Sequence, residues 1–358
     1  MPPKVSVKPD FPEAKQRVEA WWAGSSLGRP AVSCRLPRPG APPPPGDGRP
    51  PGEHQLDPQW QLAQAEWMLA AQDFPADTMP GFFPQFASNL MIPAALAGGE
   101  LEYHPDTTWV RHDPDIYRRE LPASAGEHRV FRALDAALRL VAGRLGDELL
   151  LSAPPLLDGL TTLSVFRDPQ QLCLDLLERP EDVQRVTRRL NELALAAHRA
   201  FFSTLQQLGH AQTVTWCDLY APGRAEMVQC DFSIMLSPVM YQEFVMPQLR
   251  MLTEYMEYSC YHMDGTPQTR FLEQLCSLPR LQAIQWNPEP PAPPPLEWLD
   301  FFREVRRRRR SLWIACDADT AEALTRQLGP DGLMLSVQGV DRPDKLERLL
   351  RRLAAAVK

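Results

Sequence analysis

From Leu149 to the C-terminus the sequence alternates short apolar runs with longer amphipathic ones, and that rhythm permits few folds. The runs "ELLLSAP", "SCYHMD", "LQAIQWN", "SLWIACD" and "GLMLSVQ" are nearly continuous in apolar character, as strands buried on both faces are. Helical patterns separate them: residues 169–178, 180–208, 237–258, 267–278, 296–308, 320–329 and 342–357. Pro180 followed by Glu181 and Asp182 has the form of a helix N-terminus. Repeated strand-then-helix units imply a parallel sheet covered by helices. Their number, after an N-terminal portion richer in helices, predicts an α/β fold of the TIM (β/α)8 barrel type with an N-terminal helical extension. An open doubly wound sheet would carry a glycine-rich phosphate turn, and neither GxGxxG nor a Walker sequence occurs. One domain over residues 1–358 accommodates the whole pattern.

Composition narrows the function classes. The net charge is −7, so the summed field offers no general attraction to nucleic acid or anionic lipid. Arg306 to Arg310 is the one strongly basic run. It reads as a solvated helix end whose cations offset the C-terminal dipole, in preference to a phosphate site. The start "MPPKVSVKPDFPEAKQR" lacks a signal-peptide core and no run of about 18 apolar residues occurs, which predicts a cytoplasmic protein without membrane contact. Seven scattered cysteines without a CxxC pair predict reduced thiols. Proline concentrates in residues 37–54, expected to be a mobile loop, and in residues 286–298.

In a parallel barrel the loops at the C-terminal ends of the strands converge on one mouth, so chemistry is sought there. His262 and Asp264 stand two apart at the end of a strand and therefore face the same side. Such a pair could ligate a metal, carry a proton or bind a polar substrate. For Asp264 alone, capping the next helix is an equal alternative. The stretch "TWCDLYAPGRAEMVQCDFSIMLSP" reads as a long loop on the same face. It supplies Asp218, Tyr220, Arg224, Gln229, Cys230 and Asp231, with Arg224 suited to clamping a carboxylate or to a plain salt bridge. Gln285, Trp286 and Asn287 end the next strand, and Cys316 and Ser336 end the last two. Trp286 fits packing better than ligand stacking, and Cys230 reads first as a small apolar residue. Asp158 caps a helix or joins the site.

Three segments, "CDFSIMLSPVMYQEFVMPQLRML", "YHMDGTPQTRFLEQL" and "LQAIQWNPEP", resemble the uroporphyrinogen decarboxylase superfamily, in particular a bacterial branch related to corrinoid methyltransferases. The likeness runs on through "LLDGLTTLSVFRDPQQLCLDLLERPEDVQRV" and, more faintly, "EAWWAGSSLGRPAV". It implies a TIM barrel with one of two activities: decarboxylation of uroporphyrinogen or a related tetrapyrrole acid, or methyl transfer from a corrinoid or methylated small molecule to a thiol. The N-terminal "GRPAVSCRLPRPG" lacks the arginine motif of the decarboxylases, which favours methyl transfer. The resemblance also implies zinc, held here by His262 and Asp264 with Cys230 or Cys316, since Asp264 stands where the methyltransferases have cysteine. A corrinoid carried on a partner protein is the implied donor for methyl transfer, with His262 and Asp264 as its catalytic groups; in decarboxylation Arg224 would clamp a carboxylate and Asp218 or Asp231 would stabilise a protonated ring. Tyr220, Arg224, Gln229, Gln285, Trp286, Asn287 and Ser336 would bind a small-molecule substrate. A noncatalytic tetrapyrrole- or corrinoid-binding barrel is the third reading, and a homodimer is one assembly open to the chain.

Overall fold

The structure, a computed structural model, describes residues 4–46, 48–87, 91–104, 108–155, 158–289, 291 and 293–357. Residue 47 of the proline-rich loop, Leu156 and Leu157 in the long resemblance segment, and positions 290 and 292 of the second proline-rich stretch lie outside the described residues.

Nine strands position the site: β1 (Ala31–Ser33), β2 (Gly81–Phe82), β3 (Leu150–Leu151), β4 (Thr213–Val214), β5 (Ala225–Val228), β6 (Tyr258–Asp264), β7 (Ala283–Asn287), β8 (Ser311–Cys316) and β9 (Leu333–Val337). Six of them form one sheet in the order β1-β9-β8-β7-β6-β5, and every pairing in it is parallel. β2 and β3 form a separate parallel pair. Hydrogen bonds connect these pieces: Cys34 N to Thr78 Oγ1 at 2.8 Å, Ser152 N to Phe82 O at 2.8 Å and Val214 N to Ser152 Oγ at 2.6 Å. Ala225 N donates to Thr213 Oγ1 at 3.3 Å.

Alternation along each strand separates two apolar layers. Tyr261, Met263, Ile284, Trp286, Leu312, Ile314, Leu333 and Leu335 join the layer beneath the helices. Cys260, Ala283, Trp313 and Met334, pointing to the other face, join a second cluster with Val214, Leu219 and Tyr220. Both faces are thus dry, which is why the strand sequences read as unbroken apolar runs. The N-terminal helix α1 (Phe11–Trp22) supplies Ala14, Val18, Trp21 and Trp22 to the second cluster. Trp21 Nε1 donates to Leu312 O at 2.9 Å, and Ser311 Oγ donates back to Trp21 O at 2.6 Å. Both contacts lie at the N-terminal end of β8, so α1 sits against the end of the sheet opposite the strand tips.

Several sequence expectations change in detail. The segment read as one long loop contains β5, an edge strand of the sheet; its four residues are too few to show a period, and Glu226 interrupts their apolar character. After β4 the chain turns back at Asp218, whose φ is 64°. The expected helix 237–258 runs from Pro238 to Tyr255 with a π-turn over Tyr241–Val245. Pro247, just beyond, has no amide hydrogen, and the widened turn absorbs the missing donor. Of the 37–54 loop, Pro51–His54 form a helical turn. Trp67 Nε1 and Gln64 Nε2 donate to the carbonyls of Pro42 and Pro45, so the loop is tied to the helix Pro58–Ala71.

Candidate active site

Parallel register brings the polar strand ends abreast. His262 lies opposite Gln285, Asp264 opposite Asn287, and Ser336 is flanked by Ser33 and Ala315. The His262 ring is buried, its Nδ1 2.6 Å from Gln285 Oε1. An amide oxygen accepts only, so Nδ1 carries the hydrogen and Nε2 keeps its lone pair. Nε2 faces Asp264 Oδ1 at 3.8 Å, and the edge of Trp216 packs on the imidazole with ring centroids 5.0 Å apart. Burial holds the imidazole below its ordinary pKa, opposed by Gln285 and Asp264, so the ring is neutral at pH 7. Asp264 accepts from Asn287 Nδ2 at 2.8 Å, and no side chain caps the following Thr266–Phe271 turn. Its carboxylate therefore serves the strand ends rather than the helix. Gly265, at φ 85°, lets the chain leave the strand immediately beyond it.

A cavity of about 410 Å³ opens at the strand tips, and neither His262 nor Asp264 is on its wall. Gln285 and Asn287, the partners of His262 and Asp264, line it together with Ser336, Thr78, Cys217 and Asp218. Arg35 is the one cation on its wall among the described residues, and both Nε and Nη2 of Arg35 bond Asp218 Oδ2. Asp218 is held in the left-handed region, which aspartate tolerates better than most residues. Burial pushes the Asp218 carboxyl up while Arg35 pulls it down. Strand-end reasoning does not single out Arg35, Thr78, Cys217 or Trp216, although Trp216 and Cys217 lie in the long segment it assigns to this face. The rule that strand ends carry chemistry reaches Arg35, which follows β1 by two residues, but the proline-rich neighbourhood disguised that end.

A second polar group lies nearby. Gln229 Nε2 donates to Asp231 Oδ2 at 3.1 Å, while Asp231 Oδ1 and Gln229 Oε1 are buried without a partner among the described residues. Burial, then Asp158, Asp264 and Glu289, push the Asp231 carboxyl up to about 7. Asp158 is fully buried and caps the helix Gly159–Phe166, accepting from Leu160 N and Thr161 N at 3.0 Å.

Other candidates are placed elsewhere. Arg224 precedes β5, at the end of the sheet remote from His262; it contacts Glu257 at 3.7 Å and lies over the Tyr255 ring. Tyr220 packs against Phe11 of α1 in the second apolar cluster, and Trp286 packs on Trp298 and Phe302 beneath the helices. Cys230 and Cys316 belong to that helix-facing layer, whereas His262 shares the opposite face with Cys260. Burial raises Cys230 well above the usual thiol range and Cys316 to about 12, so both stay protonated. Among the described residues no three His, Cys, Asp or Glu side chains gather closely enough to hold a metal ion. His262, Asp264, Cys230 and Cys316 thus do not fit a zinc site, because strand alternation sends the thiols and the imidazole to different faces.

Comparison with known proteins reports the fold. A methyltransferase from Methanosarcina mazei superposes with a TM-score of 0.60 at 13% sequence identity, over 96% of this chain and 98% of that one. At that identity the likeness is one of architecture. No family model and no curated protein matches the sequence. Among the described residues no helix is long and apolar enough to cross a membrane.

Proposed function

We propose that the chain is a methyltransferase of the uroporphyrinogen decarboxylase superfamily, a single (β/α)8 barrel that methylates a small thiol with His262 as the base. The hydrogen bonds running from β1 through β2, β3 and β4 to β5 support closure of the six-stranded sheet into a ring. The full-length likeness to a methyltransferase supports the activity. The observation that carries the reading is the imidazole: Nδ1–H held by Gln285 at 2.6 Å, Nε2 unprotonated and facing Asp264 at 3.8 Å, beside a cavity lined by their partners.

In this reading the acceptor thiol binds in the cavity with its S–H toward Nε2. The proton passes to Nε2 as the sulfur attacks the methyl carbon. A carbon–sulfur bond forms, the bond between carbon and donor breaks, and its electron pair leaves with the donor. Asp264 stabilises the imidazolium so formed, and Gln285 keeps the ring oriented throughout. A methylated corrinoid on a partner protein is the donor the resemblance favours. Arg35, freed from Asp218, would bind an anionic group on the thiol. A single cavity-facing arginine suits a small acid better than a tetrapyrrole with eight carboxylates, which places decarboxylation second.

Methylation of a small thiol by a free methylated corrinoid is the test. His262→Ala should lower the rate by about 100-fold or more, the usual contribution of a positioned base. Undiminished turnover in that variant would overturn the assignment.

A further inference from the structure

A second cavity of about 430 Å³ lies at the end of the sheet remote from His262, between the end of α1 and the start of β8. Trp22, Pro279 and Leu281 form its apolar side, and Arg306, Arg309 and Arg310 its cationic side. These arginines belong to the run that the sequence assigns to a solvated helix end. That assignment suits Arg307 and Arg308, which both pair with Glu304, at 2.7 and 2.6 Å. Arg310 Nη2 donates to the carbonyls of Cys276 and Leu278 at 2.8 and 3.1 Å.

The remaining charge is not matched in the same way. Among the described residues no carboxylate forms an ion pair with Arg306, Arg309 or Arg310, although their neighbours in sequence are paired. Arg306 Nη1 and Arg310 Nε are buried with no hydrogen-bond partner among the described residues. Burial pulls the Arg306 guanidinium below its ordinary value, opposed by the charge of Asp331. Asp331 in turn accepts from Ser26 Oγ at 2.7 Å. Arg309 holds φ at 58°, a left-handed conformation costly for a long side chain. Arg306 and Arg310 are half-buried and Arg309 is exposed; for the half-buried pair, a guanidinium without a counter-ion is unfavourable unless an anion completes it. The cavity by His262 presents the contrast, since its arginine is matched by Asp218.

We propose that this cavity binds a phosphorylated small molecule, its phosphate held by Arg306 and Arg309 with Arg310 adding charge. Planar guanidinium forks pair bidentately with phosphate oxygens, and three cations around one concavity favour a polyanion over a monocarboxylate. Trp22, Pro279 and Leu281 leave an apolar wall for the body of such a ligand.

Calorimetric titration of the full chain with pyrophosphate and with inorganic phosphate, at constant ionic strength set by chloride, tests this. The expected result is saturable binding at one site per chain, weakened about tenfold or more by Arg306→Gln and by Arg309→Gln, the loss expected for one charge-assisted hydrogen bond. Arg307→Gln, whose parent residue pairs with Glu304, should bind as the wild type does. Thermal melts of each variant separate lost affinity from lost folding. Absence of saturable heat would overturn the proposal, as would equal affinity in the two folded variants or binding of an RNA oligonucleotide where pyrophosphate fails. The readout is independent of methyl transfer, so failure here leaves the reading of His262 untouched.

Discussion

At His262 the hydrogen bond to Gln285 decides what the imidazole can do. With Gln285 accepting at Nδ1, the second nitrogen is fixed as an acceptor, and burial holds the ring below its ordinary pKa. Replacing the acceptor by Gln285→Leu should lower turnover and alter its pH profile, because the ring loses the partner that selects its tautomer. A profile identical to the wild type would place Gln285 outside the machinery. Two other histidines govern acid stability. Burial lowers His198 to about 3 and His210 to about 4, from an ordinary value of 6.5. Below 6.5 the unfolded chain takes up protons that these folded residues refuse, so stability falls as pH drops from 6.5 toward 4. Each contributes a slope approaching 1.4 kcal/mol per pH unit at most, about the value of one pKa unit. His198→Gln should flatten that decline in denaturant titrations. Asp231 acts with the opposite sign: its folded pKa is raised to about 7, so its contribution is full in acid and is lost as pH rises through 7. Asp231→Asn should therefore raise the thermal midpoint at pH 8 more than at pH 4. Equal midpoints at pH 8 would mean that the carboxylate is solvated.

Elements show how far local sequence carries and where it stops. Strands β6 to β9 were legible because each is five to seven residues long and buried on both faces, leaving an uninterrupted apolar signature. β5 was not, since its pairing with β6 is set by tertiary register and its sequence includes the buried Glu226. The same register explains why His262, Asp264, Gln285, Asn287 and Ser336 could be picked from strand ends while Arg224 and Tyr220 could not be placed. Those two lie in a segment whose turn at Asp218 carries the chain back toward α1. Attachment of that helix depends on Asp77, which is buried and accepts from Arg17 Nε at 2.5 Å, Arg29 Nη1 at 2.7 Å and Val32 N at 2.8 Å. One carboxylate thus joins α1, the chain before β1 and β1 itself. Asp77→Ala leaves two half-buried guanidinium groups unmatched and should cost about 3–5 kcal/mol in chemical denaturation, as breaking a buried ion pair does. A loss below about 1 kcal/mol, the range of exposed pairs, would refute that role.

Across the whole molecule the parallel sheet has two chemically different ends. The strand tips gather His262, Asp264 and a cavity whose single arginine is matched by Asp218, and the opposite end gathers α1, two tryptophans and an arginine-lined cavity with unmatched charge. The strand–helix rhythm made the parallel architecture readable from the sequence, because burial on both faces is a property of every strand. The division of cysteines and histidine between faces was not readable, since it depends on which side of each strand turns toward the helices; that is why the expected zinc ligands do not converge. The central claim, that His262 is the base for methylation of a thiol, is tested most directly by single-turnover thiol methylation across pH for the wild type and His262→Ala. The account predicts a wild-type rate that falls on an acid limb below the ordinary histidine range and a variant that is slower by about 100-fold or more with that limb abolished. A variant retaining both the rate and the limb would contradict it.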